Sequence, residues 1–168
     1  MIEQIKEALK TSIILVLAYS AAVILIYAYN RIIPTGAVLT FYRDTDLSKP
    51  VWKSVSKKLT FFSKKSPCIG VGKRYSCRWE GYLDVPAGAD YDFAVLNHGG
   101  LRLYLDDHLF IDNWGEKDFY GSLGKGMTNL SAGKHKITVE YYCNGDYGRM
   151  RVEWCGGSIP SRTIVGGK

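Results

Sequence analysis

Residues 12–29, SIILVLAYSAAVILIYAY, carry no charge. At about 1.5 Å per residue this run makes a helix of roughly 27 Å, close to the hydrocarbon thickness of a bilayer. It therefore predicts a single membrane-spanning helix, with Tyr27 and Tyr29 suited to the lipid–water interface. A cleaved secretory signal is the rival reading. The apolar run continues past the small residues Ala18, Ser20, Ala21 and Ala22 into Val23, Ile24, Leu25 and Ile26, which favours an uncleaved anchor. Ala18 and Ala22 form a small-xxx-small pair that lets a second helix approach closely. An anchor without such a partner is an equally good reading.

The resulting organisation is a cytoplasmic stub over 1–11, the helix over 12–29, a linker over 30–34, a β domain over 35–156 and a flexible or partner-ordered tail over 157–168. Charge alone does not orient the helix, because Lys6 and Lys10 before it are matched by Arg31, Arg43 and Lys49 after it. The cysteines weigh more. Cys68, Cys77, Cys143 and Cys155 all follow the helix, and an even number suits two disulfides in an oxidising compartment. The expectation is a cytoplasmic amino terminus and a periplasmic or extracellular domain; four reduced thiols in the cytosol are the alternative. No Cys or His spacing fits a zinc site, so no metal is expected there.

After Tyr29 the apolar residues alternate. Tyr91, Phe93 and Val95 are one series, Ile137, Val139 and Tyr141 another, and Met150, Val152 and Trp154 a third. Period two marks half-buried strands, and turns such as Pro86, Ala87, Gly88 and Asn144, Gly145, Asp146 separate them. The fold class is an all-β antiparallel sandwich or barrel following one amino-terminal helix. If residues 136–143 and 149–155 paired as one hairpin, Cys143 and Cys155 would be roughly 20 Å apart and on opposite faces, too far for a disulfide. A crossed pattern is then expected, with Cys68 and Cys77 each joined to one of Cys143 and Cys155.

Charge is segregated. Residues 51–78 carry Lys53, Lys57, Lys58, Lys64, Lys65, Lys73, Arg74 and Arg78 with no acid, whereas acids dominate 80–118. Lys53, Lys57, Lys58, Lys64 and Lys65 make a basic edge suited to anionic lipid headgroups or an acidic partner, at about 1 kcal/mol per cation near a membrane surface. The inferred compartment excludes nucleic acid.

The stretch YSCRWEGYLDVPAGADYDFAVLNHGGLRLYLDDHLFIDNWG, with LSAGKHKITVEYY and RVEWCGG after it, resembles the protective-antigen type (PA-14) domain. The matching positions include Trp79, Gly81, Tyr82, Gly88, Tyr91, Phe93, Gly100, Arg102, Leu103, Asp106, Ile111, Asp112, Asn113 and Trp114. The resemblance implies a β-sandwich or barrel used for binding and spacing on glycosidases, adhesins and toxins, some members holding carbohydrate through calcium. In those lectins two adjacent aspartates precede the Gly-x-Arg-Leu segment and supply hard oxygen ligands. Alignment on Gly100, Arg102 and Leu103 puts His98 and Gly99 there, and neither offers a carboxylate. Calcium is disfavoured and no cofactor is expected. Asp106 and Asp107 read instead as a two-residue hairpin turn, with Asp107 left-handed.

No nucleophile elbow, Walker loop or His-Glu-x-x-His motif is present, so the chain is not read as an enzyme. Candidate ligand contacts are Asn97, His98, Phe119, Tyr120 and Tyr147, while Trp114 is assigned to the core. The favoured function is an accessory subunit docking on a larger membrane complex through its helix and basic edge. The alternative is a carbohydrate-binding module with a degenerate calcium site. Expected partners are membrane lipid and membrane subunits in the first case and a glycan in the second.

Overall fold

A computed structural model describes residues 2–32, 36–63, 72–115 and 122–156. The chain divides into two units, Met1–Pro34 and Thr35–Lys168.

The first unit holds helix α1, Ile2–Ile32. It extends through the expected stub and into the expected linker, and begins with Glu3 in its first turn, where a carboxylate suits the helix dipole. Ala18 and Ala22 lie one turn apart on it, both exposed. No helix of the described residues is long and apolar enough to cross a membrane. The single-pass anchor and the localisation built on it are corrected accordingly.

The second unit is two antiparallel sheets. Strands β1 (Ala37–Tyr42), β2 (Pro50–Ser56), β4 (Arg74–Val85), β6 (Gly100–Leu105), β7 (His108–Asn113) and β9 (Gly133–Asn144) form one, in the order β2-β1-β4-β9-β6-β7. Strands β3 (Thr60–Ser63), β5 (Ala89–His98), β8 (Ser122–Leu130) and β10 (Gly148–Cys155) form the other, in the order β3-β10-β5-β8. The alternation does what period two requires: Tyr91, Phe93 and Val95 of β5, Ile137, Val139 and Tyr141 of β9, and Met150, Val152 and Trp154 of β10 are all buried. They meet between the sheets. Phe61 of β3 bridges them, its ring within 6.5 Å of Trp79 and 6.3 Å of Tyr141.

The chain does not pair β9 with β10. β9 lies between β4 and β6, β10 between β3 and β5, and residues 145–147 cross from one sheet to the other. Both strands carry an apolar face, and placing them in opposite sheets buries the two faces against each other. This also corrects the disulfide expectation, because no S–S bond joins Cys77, Cys143 and Cys155 to one another. Cys77 and Cys143 are buried on the core face of the six-stranded sheet, while Cys155 is exposed on β10 opposite Asp92. The Cys143 thiol faces the carbonyls of Gly145 and Tyr147, at 3.3 and 3.4 Å. Cys68 lies outside the described residues.

Asp106 and Asp107 form the β6–β7 turn, both left-handed with φ of 48° and 64°. Asp106 Oδ1 accepts the Lys136 backbone N–H at 2.8 Å and Oδ2 lies 2.7 Å from His135 Nδ1. Partial burial works against both charges, but the hydrogen bond between them prevails: Asp106 is held below the ordinary carboxylate value of 3.8 and His135 above the ordinary 6.5. A raised histidine stabilises fully below 6.5 and loses that contribution as pH climbs through its folded value. A lowered aspartate contributes above 3.8 and loses it as pH falls through its folded value. The pair thus helps most between about pH 4 and 6.5. His135→Gln should lower the melting temperature by roughly 2–3 °C at pH 5.5 and by less at pH 8.5. An equal loss at both values would contradict this.

Candidate functional site at the sandwich end

The chain leaves β5 at His98 and enters β6 of the other sheet at Gly100, so Gly99 forms a corner with φ of 96°. A Cβ at Gly99 would lie 2.1 Å from the Tyr142 backbone carbonyl oxygen, and one at Gly100 would lie 2.0 Å from the Tyr142 ring. Only glycine fits either position as the backbone stands. Asn97 secures the corner from below. Its Nδ2 donates to the Gly99 carbonyl at 2.6 Å, and its Oδ1 accepts from Asn113 Nδ2 at 2.7 Å. Asn97, one of the candidate ligand contacts, is buried, and its amide is engaged in holding the loop.

His98 and Tyr147 come together at this end. His98 Nδ1 is 2.8 Å from the Tyr147 carbonyl, which fixes that nitrogen as the protonated donor. The two rings meet edge to face at 5.5 Å. Tyr147 in turn meets Phe62 of β3 at 5.3 Å and 90°, and Phe62 is 55% exposed. Beneath the loop, the buried Tyr141 hydroxyl donates to the His98 carbonyl at 2.6 Å and accepts the Arg149 backbone N–H at 3.1 Å. Burial drives that phenol well above its ordinary value, so it stays protonated. The result is a ledge of three aromatic rings, Phe62, Tyr147 and His98, held from below by Tyr141 and Cys143. Phe62 is absent from the sequence-based candidates. Its signal was the pair Phe61–Phe62 in a short strand, where period two buries one ring and must expose the other.

The remaining candidates separate. Phe119, Tyr120, Lys64 and Lys65 lie outside the described residues. Lys53 is exposed on edge strand β2, and Lys57 and Lys58 are exposed in the β2–β3 turn. Trp114 is not in the core. It is half-buried against Tyr142, ring centroids 4.8 Å apart, with the Arg102 guanidinium 4.6 Å from its ring. Arg102 belongs to a polar row across the outer face of the six-stranded sheet, Lys53–Thr40–Arg78–Glu140–Arg102–Asp112, which the strand registers align. Glu140 anchors that row through a 2.6 Å ion pair to Arg78.

Two hollows flank the ledge's sheet. One, of about 730 Å³, lies on its outer face and is lined by residues including Ala94, Lys125, Met127 and Trp154. The other, of about 550 Å³, runs along β3 and β10 beside Phe62. At the positions where the family's lectins carry a paired aspartate, His98 and Gly99 supply an imidazole and no carboxylate. Among the described residues no three His, Cys, Asp or Glu side chains gather as a metal site.

The two-sheet architecture carries the sequence pattern of the PA14 domain, whose family model matches residues 35–165. The chain belongs to the PA14 domain family. It is 27% identical over 122 residues to the anti-sigma-I factor RsgI3 of Acetivibrio thermocellus, covering 71% of this chain and 19% of that protein. An anti-sigma factor domain-containing protein from Clostridium clariflavum superposes with a TM-score of 0.72 at 26% identity, over 80% of this chain and 48% of that one. The PA14 sugar-binding domain from an RTX adhesin superposes with a TM-score of 0.66 at 13% identity, over 81% of this chain and 100% of that domain, a likeness of fold alone. The chain spans about a fifth of the curated relative and about half of the solved anti-sigma protein.

Proposed function

We propose that this PA14 domain is a non-catalytic recognition module that binds a carbohydrate on the Phe62–Tyr147–His98 ledge without calcium, and that it serves a regulatory chain. The observation that carries this reading is the ledge itself. Three rings converge at the loop end of the sandwich, one of them an exposed phenylalanine, on a loop whose backbone is pinned by buried Asn97 and Tyr141. Aromatic faces offer apolar area at low entropic cost, and the C–H face of a sugar ring complements them. Likeness to anti-sigma proteins supports the regulatory setting, and the sugar-binding adhesin domain is an instance of this fold carrying a carbohydrate site. Docking on a membrane complex, the reading favoured by the sequence, has lost its anchor and is not carried further.

The test is a glycan panel presented to the full-length chain with affinities measured by calorimetry, with and without a calcium chelator. Binding that survives chelation and weakens about tenfold in Phe62→Ala is the expected result. Failure to bind any glycan at millimolar concentration would sink the proposal.

A further inference from the structure

Strand β2 is an edge of the six-stranded sheet. It pairs with β1 on one side, and among the described residues no strand pairs with its other side. An open edge is a row of unpaired N–H and C=O groups, a template for another strand. The register shift between Phe41 and Tyr42 leaves Val51 bulged, so the regular part of the edge is 52–56.

The edge is also apolar. Trp52 is 47% exposed, and Val51 and Val55 are exposed with it. Trp52 is nonetheless held: its ring lies 5.5 Å from that of buried Phe41, which packs on Phe61 at 5.9 Å. A ring already fixed on one side loses little entropy when its other side is covered, and tryptophan is a frequent anchor of protein contacts. A lysine on an edge strand guards against self-pairing, and Lys53 is placed for that. It does not account for three large apolar side chains left uncovered beside it.

Charge selects the occupant. Lys53 and Val55 share one face of β2, opposite Thr40 and Val38. Lys57 and Lys58 follow in a turn closed by the Ser56 hydroxyl, which donates to the Lys58 carbonyl at 2.7 Å. All three lysines are exposed, and among the described residues none has a carboxylate partner. The first carboxylate along the row from Lys53 is Glu140, and Arg78 holds it at 2.6 Å. A second copy of β2 laid antiparallel on this edge would bring lysines against lysines, which disfavours self-pairing.

We infer that the β2 edge docks an extended acidic segment of a partner protein, which adds to the sheet as a further antiparallel strand. Main-chain hydrogen bonds supply the affinity and alternate side chains the specificity. Cross-strand pairing sets the sequence taken: an apolar residue against Trp52, an acid against Lys53, an apolar residue against Val55, and acids reaching Lys57 and Lys58. The edge belongs to the sheet opposite Phe62, and the inference is independent of the carbohydrate reading.

The test is calorimetric titration of the full-length chain with the capped peptide Glu-Asp-Ser-Val-Thr-Glu-Ile, which runs antiparallel from Lys58 to Trp52. Three counterparts accompany it: one with amides for its acids, and two with backbone N-methyl groups at alternate positions, in the two possible frames. Only alternate N–H groups of an added strand face β2, so one methylated frame is expected to lose binding at least tenfold and the other to keep it. The neutral peptide is expected to bind about tenfold more weakly, as are Lys53→Glu and Trp52→Ala with the acidic one. Lys125→Gln, on the other sheet, should match the parent. Thermal melts establish that each variant is folded. Equal behaviour of the two methylated frames, equal binding of the neutral peptide, or unchanged affinity in folded Trp52→Ala and Lys53→Glu overturns the inference. So does absence of binding at millimolar peptide. Dimerisation of the chain that Trp52→Ala abolishes overturns it in favour of a second copy.

Discussion

The double variant H98D/G99D, which writes the aspartate pair of calcium-dependent lectins into this loop, is expected to lose about 3 kcal/mol of stability and to gain no calcium site. The obstacle is Gly99. Its φ of 96° lies in a region that side chains with a Cβ rarely adopt, and that Cβ would sit 2.1 Å from the Tyr142 carbonyl oxygen. The oxygen belongs to β9, hydrogen-bonded on both sides to β4 and β6, so it cannot retreat cheaply. An aspartate at 99 must therefore rebuild the corner, which breaks the Asn97–Gly99 bond of 2.6 Å and exposes the buried Asn97–Asn113 pair. A fall of about 10 °C in melting temperature, unchanged by millimolar calcium, is the expected reading. A calcium-dependent rise would mean that the loop can adopt the lectin geometry.

The second large effect is expected from Tyr141→Phe. One buried hydroxyl bonds two strands that lead into the site, donating to the His98 carbonyl at 2.6 Å and accepting from the Arg149 N–H at 3.1 Å. Phenylalanine preserves the ring's packing but leaves both backbone groups without that partner, at a cost of about 2 kcal/mol in denaturant unfolding. The same change loosens His98 on one side and Arg149 on the other, so glycan affinity should fall along with stability. A variant that lost stability but bound as tightly as the parent would show that the loop end is not where the ligand sits.

Much of the fold was legible because it depends on local periodicity. Tyr91, Phe93 and Val95 alternate with Asp92 and Ala94, and such a segment can bury one face only as a strand. The Asp106–Asp107 turn was legible for a similar reason, since two residues between alternating runs make a hairpin turn; Asp107 was expected to be left-handed, and Asp106 is left-handed as well. The β9–β10 relation was not. Residues 136–155 read as a hairpin because their neighbours in sequence are close, whereas the choice between pairing edge to edge and facing across a core depends on what the other strands offer. β4 and β6 claim both edges of β9, leaving β10 to the second sheet. The disulfide expectation failed with it, because it was built on that hairpin.

The candidate site divides in the same way. His98 and Tyr147 were named from the sequence, one from its place in the family pattern and the other as an aromatic in a turn. Asn97 was named with them, yet its side chain is consumed by the corner it holds. Trp114 was placed in the core but lies on the outer face against Tyr142 and Arg102, since its burial depends on which side of β7 the chain departs.

The sequence by itself determined that residues 35–156 form an antiparallel β-sandwich of the PA14 kind and that positions 98 and 99 lack carboxylates, because strand period and residue chemistry are properties of single positions and their neighbours. Only the tertiary structure decided that Phe62, Arg149 and Arg151 share a wall with Tyr147 and His98. Those residues are far apart in the chain, and strand order and register, set by how the two sheets bury their faces, brought them together.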